Sequence, residues 1–334
     1  MLLRPDPKKL WRMSEIATDL VADIGGTNAR FGVVREGHLE DVATFPCASY
    51  ESPLDAIQAY LGNGDGHRPQ RASIAVATPI TGDRVTLTNF NWTFDVGEIR
   101  DTFGLDDVRL INDFTAQALA LSAMEPSSDL RVLRPGKVKE GAPRAVVGPG
   151  TGLGVGGLVD VHGCGQALIP AEGGHRDLAV GTEREWQVKK RLLEKFSHVS
   201  CEHIVSGPGI VTLYSTLCEI DGEEPRFDDP GVIVEGSRDG QDRLAAETID
   251  TWSAILGAVV GDLALVLGAR GGIYITGGVL AKMGDAFRLD SFLNRFEQKG
   301  PISYYIEQIP IFHVIHPNPG LLGAGQAFTA QLPD

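Results

Sequence analysis

"GPGTGLGVGG", Gly148 to Gly157, satisfies three nucleotide-binding signatures at once, and the neighbouring residues decide between them. Gly152, Gly154 and Gly157 match the dinucleotide fingerprint G-x-G-x-x-G. That fingerprint needs a helix to open at the glycines, so that its N-terminus faces a pyrophosphate. Here the chain runs on into "GGLVDVHGCG", too rich in glycine and β-branched residues to start a helix, and no acidic residue ends a second strand at the required distance. With Val159 the same glycines match a protein-kinase loop, and "HRDL" follows at His175–Leu178. The spacing rejects that match. A lysine strand and a glutamate helix must lie between the two motifs, Thr182 stands where Asn is needed, and D-F-G and A-P-E are absent. A P-loop is absent too, since "RVLRPGKV" lacks its first glycine and the hydroxyl residue after Lys137. A hairpin turn remains. Successive backbone N–H groups in such a turn form a concave anion site, and glycines let phosphate approach the backbone.

The same grammar occurs earlier in the chain. "DLVADIGGTNARFGVV" (19–34) and "RAVVGPGTGLGVGGLVDV" (144–161) each read as apolar strand, glycine turn ending in Thr27 or Thr151, and second apolar strand. This is an internal repeat, and it predicts two α/β halves that each hold phosphate on a turn. "RASIAVAT" (71–78) and "DVRLINDF" (107–114) read as buried strands and "SPLDAIQAYLG" (52–62) as a helix opened by Ser52 and Pro53. Helices are also expected at "TAQALALSAM" after Asp113, at 247–268 around Trp252, and at "GLLGAGQAF" (320–328). A short strand is expected at "GGIYITGG" (271–278). The polar stretch 221–236 reads as a surface loop.

Composition narrows the function. The chain has 334 residues, 43% of them hydrophobic, enough for two domains with separate cores. A formal net charge of −14 argues against nucleic-acid and anionic-membrane partners. The basic segment "MLLRPDPKKLWRM" lacks the apolar run of a signal peptide and reads as a floppy tail, with Met13 as the natural start. No stretch reads as a membrane span of roughly 20 apolar residues, and a soluble cytoplasmic protein is expected. Cys47, Cys164, Cys201 and Cys218 are scattered without a C-x-x-C pair, as reduced thiols are, which argues against structural zinc and disulfides.

Taken together, "DIGGTNARF" (23–31), "LINDFTAQALA" (110–120), "GPGTGLGVG" (148–156), "PAEGGHRDLA" (170–179), "HVSCEHIVSGPG" (198–209) and "NPGLLGAG" (318–325) resemble the bacterial glucokinase family. The motifs stand in family order from about residue 17 onward. "ATPITGDRVTLTN" (77–89) fits as well, and the Cys-rich zinc motif of the repressor-related sugar kinases is missing. His203 departs from the arginine usual in the family, and the N-terminal tail is extra.

The resemblance implies an α/β, two-lobed actin-like ATPase fold of the ribonuclease H type, each lobe a mixed sheet with flanking helices and a ligand cleft between them. It divides the chain into a disordered tail (1–16), a small α/β domain (17–122 with 317–334) and a large one (123–316). It implies Mg-ATP-dependent phosphorylation of glucose at the 6-hydroxyl, the first step of glycolysis, by a homodimer. Asp23 would help hold Mg²⁺, with Gly25, Gly26, Thr27 and Asn28 along the phosphates and Thr151 and Gly152 forming the second phosphate turn. Gly277 and Gly278 would lie on the adenosine side. For Asp113 the residues alone leave a helix N-cap and a general base equally open, and the resemblance selects the base. Asn112, Glu172, His175 and Glu202 would hydrogen-bond the sugar, because carboxylates that pair adjacent hydroxyls discriminate stereochemistry. Asn89 is a weaker candidate. The competing readings are a kinase of the same fold using another hexose or polyphosphate, a catalytically inert sugar sensor, and an actin- or Hsp70-like ATPase. The sensor lacks a DNA-binding appendage to act through, and the ATPase has no use for Glu172, His175 and Glu202.

Overall fold

The computed structural model describes residues 18–63, 68–88, 90–162, 165–238 and 242–330. The tail, Cys164 and Asn89 lie outside them. The chain divides into two compact units, one containing residues up to Ala116 together with Gly320–Thr329, the other Gln117–Pro319. The division falls inside the helix Asp113–Ala120, where the sequence reading put it after residue 122. Gln117, the first residue of the second unit, accepts a 2.9 Å hydrogen bond from Thr276 Oγ1 through its Oε1.

The first unit is built on strands β1 (Thr18–Ile24), β2 (Asn28–Arg35), β3 (His38–Pro46) and β4 (Arg71–Val76), a side hairpin of β5 (Arg84–Thr86) and β6 (Thr93–Asp95), and β7 (Asp107–Asn112). The main sheet runs in the order β3-β2-β1-β4-β7. β1 is antiparallel to β2 and parallel to β4, and β4 is parallel to β7. Almost every β1 residue is buried, as a central strand with parallel pairing demands, and Leu20, Val21, Ala22 and Ile24 supply its apolar part. The parallel returns use the helices Pro53–Asn63 and Val96–Phe103. The first opens with Pro53 after Ser52, whose Oγ accepts from the Asp55 N–H at 3.2 Å. The second is capped by Asp95, which accepts from the Glu98 N–H at 3.1 Å. Leu321 and Ala324, on the late helix Pro319–Ala324, pack against Val21. That helix stops short of the expected 320–328, where Gly325 follows and the chain continues in turns.

The second unit repeats the plan. Its strands are β8 (Leu130–Arg134), β9 (Arg144–Pro149), β10 (Leu153–Val161), β11 (Gly165–Ala171), β12 (Ile273–Ile275) and β13 (Ile311–Val314), in the order β11-β10-β9-β12-β13-β8. β9 is antiparallel to β10 and parallel to β12, and β12 is parallel to β13. The first five strands therefore copy the order and directions of the first sheet, with β8 added at the edge. The repeat read from two glycine turns is a repeat of topology.

Its core gathers around the helix Arg243–Leu267, flanked by Gly207–Asp221, Pro230–Arg238 and Leu289–Glu297. Arg243–Leu267 is long and apolar enough to span a membrane by composition, with a mean hydropathy of 1.6 over its most apolar window. Two-thirds of that window is buried inside the protein, so the apolarity belongs to a core helix. The stretch 221–236 is a loop only in its first half. From Pro230 it forms a helix that buries Ile233, Val234 and Ser237, started by Asp229, whose Oδ1 accepts from the Val232 N–H at 3.0 Å. The helix Asp113–Ala120 is shorter than expected, and its C-terminal end passes into turns at 121–123.

Candidate active site

In the first unit, parallel pairing sets Ile24, Val76 and Asn112 in one register row across β1, β4 and β7. Asp23 and the turn Gly25–Thr27 therefore stand at the same sheet edge as Asn112 and Asp113. This is the edge formed by the carboxyl ends of the strands, where α/β sheets place their ligand groups. Gly25 closes the turn by donating to the Asn28 carbonyl at 3.0 Å, and Thr27 and Asn28 are exposed at its tip.

The cap at Asp113's helix is made by its neighbour. Asn112 Oδ1 accepts from the N–H groups of Phe114 (2.9 Å) and Thr115 (3.3 Å), while its Nδ2 donates to the Thr78 carbonyl at 3.3 Å. Asn112 thus locks the ends of β7 and β4 together, and one Nδ2 hydrogen is left to offer a ligand. Asp113 Oδ1 accepts from the Phe114 N–H at 3.0 Å, and the residue is half-buried.

Asp23 is held by two residues that the sequence reading did not single out. Arg30, opposite it in the β1–β2 register, places a guanidinium nitrogen 3.6 Å from Oδ2. Burial pushes the Asp23 carboxyl above its usual range, and Arg30 draws it back. Hairpin register is the signal that finds Arg30. No local signal finds Gly320, which comes from the other end of the chain and lies so close that a Cβ there would stand 2.5 Å from Asp23 Oδ2. Among the described residues no three His, Cys, Asp or Glu side chains gather into a metal cage. A lone carboxylate suits Mg²⁺ carried in on a nucleotide, since that ion needs one or two protein carboxylates and fills its other positions with water and phosphate oxygen.

In the second unit the dispersed motifs converge on the β9–β10 turn. Gly150 N–H donates to the Gly152 carbonyl, and Gly207 N–H to the Gly150 carbonyl, both at 2.8 Å. Glu202, in the tight turn Cys201–His203, accepts from the Leu153 N–H through Oε2 at 2.8 Å. Its Oε1 faces His175 Nδ1 at 4.0 Å. Gly174, between Glu172 and His175, packs on the Leu153 carbonyl, and Gly277 packs on the Pro149 carbonyl. Glu172 and His175 are exposed, whereas Glu202 is half-buried. Thr151, Gly277 and Gly278 are exposed at the same edge.

His203 holds the Glu202 turn. Its Nδ1 accepts from the Ser200 N–H at 3.1 Å and lies 2.8 Å from Ser200 Oγ. Its ring sits 4.5 Å from that of Phe196. Burial lowers its pKa, which keeps Nδ1 an acceptor.

A family model described as Glucokinase matches residues 20–331. The chain belongs to the glucokinase family. A glucokinase of Paramagnetospirillum magneticum is 41% identical over 306 residues, covering 91% of this chain and 95% of that protein. One of Neisseria meningitidis is 41% identical over 314 residues, covering 94% and 95%. The crystal structure of a glucokinase from an Antarctic psychrotroph superposes with a TM-score of 0.86 at 36% identity, covering 95% of this chain and all of that one. The two mixed sheets with their flanking helices are therefore those of the actin-like sugar-kinase fold to which glucokinases belong.

Proposed function

We propose that the protein transfers the γ-phosphoryl group of Mg-ATP to the 6-hydroxyl of D-glucose, giving ADP and glucose 6-phosphate. The observation that carries this reading is membership of the glucokinase family across nearly the whole described chain. The proposed sugar ligands are Asn112, Asp113, Glu172, His175 and Glu202.

Asp113 accepts the proton of the 6-hydroxyl as that oxygen bonds to phosphorus. The bond between the γ-phosphorus and the bridging oxygen breaks, and ADP leaves with the electron pair. Asn112 donates to a neighbouring hydroxyl through its remaining Nδ2 hydrogen. Glu172 and Glu202 accept from sugar hydroxyls, and His175 serves as donor or acceptor. Gly25, Gly26, Thr27 and Asn28 are proposed to bind the phosphates, as is Thr151, with Gly277 and Gly278 toward the adenosine. Asp23 would hold Mg²⁺, which when bound neutralises charge on the β- and γ-phosphate oxygens. The family resemblance further implies a cytoplasmic homodimer, and sedimentation velocity tests the dimer. The function itself is tested by a coupled assay of ADP release with and without glucose. ADP release that does not depend on sugar would overturn it.

Glu172→Gln keeps the side chain's shape but replaces an acceptor with a misdirected donor. Loss of one charged hydrogen bond is expected to cost about 1.5–3 kcal/mol, read as a glucose KM raised roughly 10- to 150-fold. An unchanged KM and turnover would remove Glu172 from the site. Gly320→Ala forces a Cβ onto the Asp23 carboxylate. The crowding is expected to cost about 1–3 kcal/mol and to raise the Mg²⁺ concentration needed for half-maximal rate. A wild-type magnesium titration and melting temperature would show that Asp23 is not held there.

A further inference from the structure

We propose that Gly152 is a positioning residue for the sugar site, its bare Cα forming the seat on which the Glu202 carboxylate rests. The inference rests on the reading of Glu202 as a glucose ligand, and it moves Gly152 out of the phosphate-binding set in which its motif placed it. Three observations carry it. A Cβ on Gly152 would overlap Glu202 Oε2 and stand 3.1 Å from its Cδ. The next residue's N–H, that of Leu153, donates to the same Oε2 at 2.8 Å. The other oxygen, Oε1, is turned toward His175. The turn thus fixes one carboxylate oxygen against backbone and leaves the second to face the proposed sugar ligand His175.

A carboxylate held this way has one oxygen committed and one aimed, which is what stereochemical discrimination between hydroxyls requires. A side chain at position 152 would push both oxygens off their bearing. The damage is then expected at glucose, whereas a glycine kept bare for phosphate would show its loss at ATP.

The test is Gly152→Ala in the full chain, with KM for glucose and for ATP measured separately. The expected result is a glucose KM raised at least tenfold, with the ATP KM within about threefold of wild type. Shortening the carboxylate should relieve the crowding, so adding Glu202→Asp to Gly152→Ala should cost less than Glu202→Asp costs alone. A raised ATP KM with normal glucose KM, or strictly additive effects, would overturn the proposal. Glu202→Ala adds no bulk and guards against misfolding of the alanine variant. In it, hydrogen exchange at the Leu153 amide should speed at least tenfold, and unchanged exchange would also overturn the proposal. Failure of the underlying reading looks different: Glu202→Ala would then leave the glucose KM at the wild-type value.

Discussion

Asp113→Asn is expected to lower turnover by about 10²–10⁴, the usual contribution of a general base, while leaving the melting temperature close to wild type. The amide keeps the carboxylate's size and can still accept from the Phe114 N–H, but it cannot take up the proton of the attacking hydroxyl. Little change in ATP KM is expected, because the proposed phosphate ligands lie on the glycine turns. Some loss of glucose affinity is compatible with the role, because Asp113 is also proposed to contact the sugar. A purely structural cap predicts instead a stable, fully active variant, because Asn caps a helix about as well as Asp. The bond to the third N–H of that helix end is made by Asn112, which accepts from Thr115 as well as Phe114. Turnover at saturating glucose and ATP, measured beside thermal unfolding, decides the matter. Near-wild-type turnover would sink the assignment.

Trp252→Ala is expected to destabilise the second unit by about 3–5 kcal/mol, the cost of emptying a buried aromatic site, and to lower its melting temperature by roughly 6–20 °C. The indole is fully buried on the helix Arg243–Leu267, in the same core as Val147 and Leu153 on either side of the glycine turn. Its Nε1 has no hydrogen-bond partner among the described residues. This sharpens the prediction. Trp252→Phe removes an unsatisfied donor and only part of the volume, so it should cost clearly less than alanine. Equal losses for the two variants, or a fully stable alanine variant, would contradict the packing account. Glucose KM per folded molecule should stay near wild type in both, since Trp252 is not among the residues that meet at the turn.

Strand positions were legible because they are written locally. β4 and β7 form within the runs read at 71–78 and 107–114, and β1 and β2 overlap those at 19–26 and 30–37 but begin one and two residues earlier. The rejection of a helix after Gly152 also needed only adjacent residues, and β10 begins at Leu153. The two matching turns announced two matching sheets, because the same local grammar folds into the same strand order. Locality also sets where this reading failed. The helix Pro230–Arg238 buries three residues within a polar segment, too few for periodicity to stand out, and its start depends on a cap at Asp229. Arg243–Leu267 carries a hydropathy that only its surroundings interpret.

By itself the sequence determined the α/β class, the repeated strand–turn–strand unit and the motifs that mark the family. Tertiary structure decided what those motif residues touch. Asn112 accepts from Thr115, Gly320 closes on Asp23 from the far end of the chain, and Glu202 reaches the Leu153 amide across 49 residues. The physical reason is the range of the interactions. Strand pattern and turn chemistry are set by residues within a few positions of each other, and spacing encodes them. A carboxylate resting on a glycine depends on two backbones brought together by the whole sheet, and no spacing in the chain records that contact.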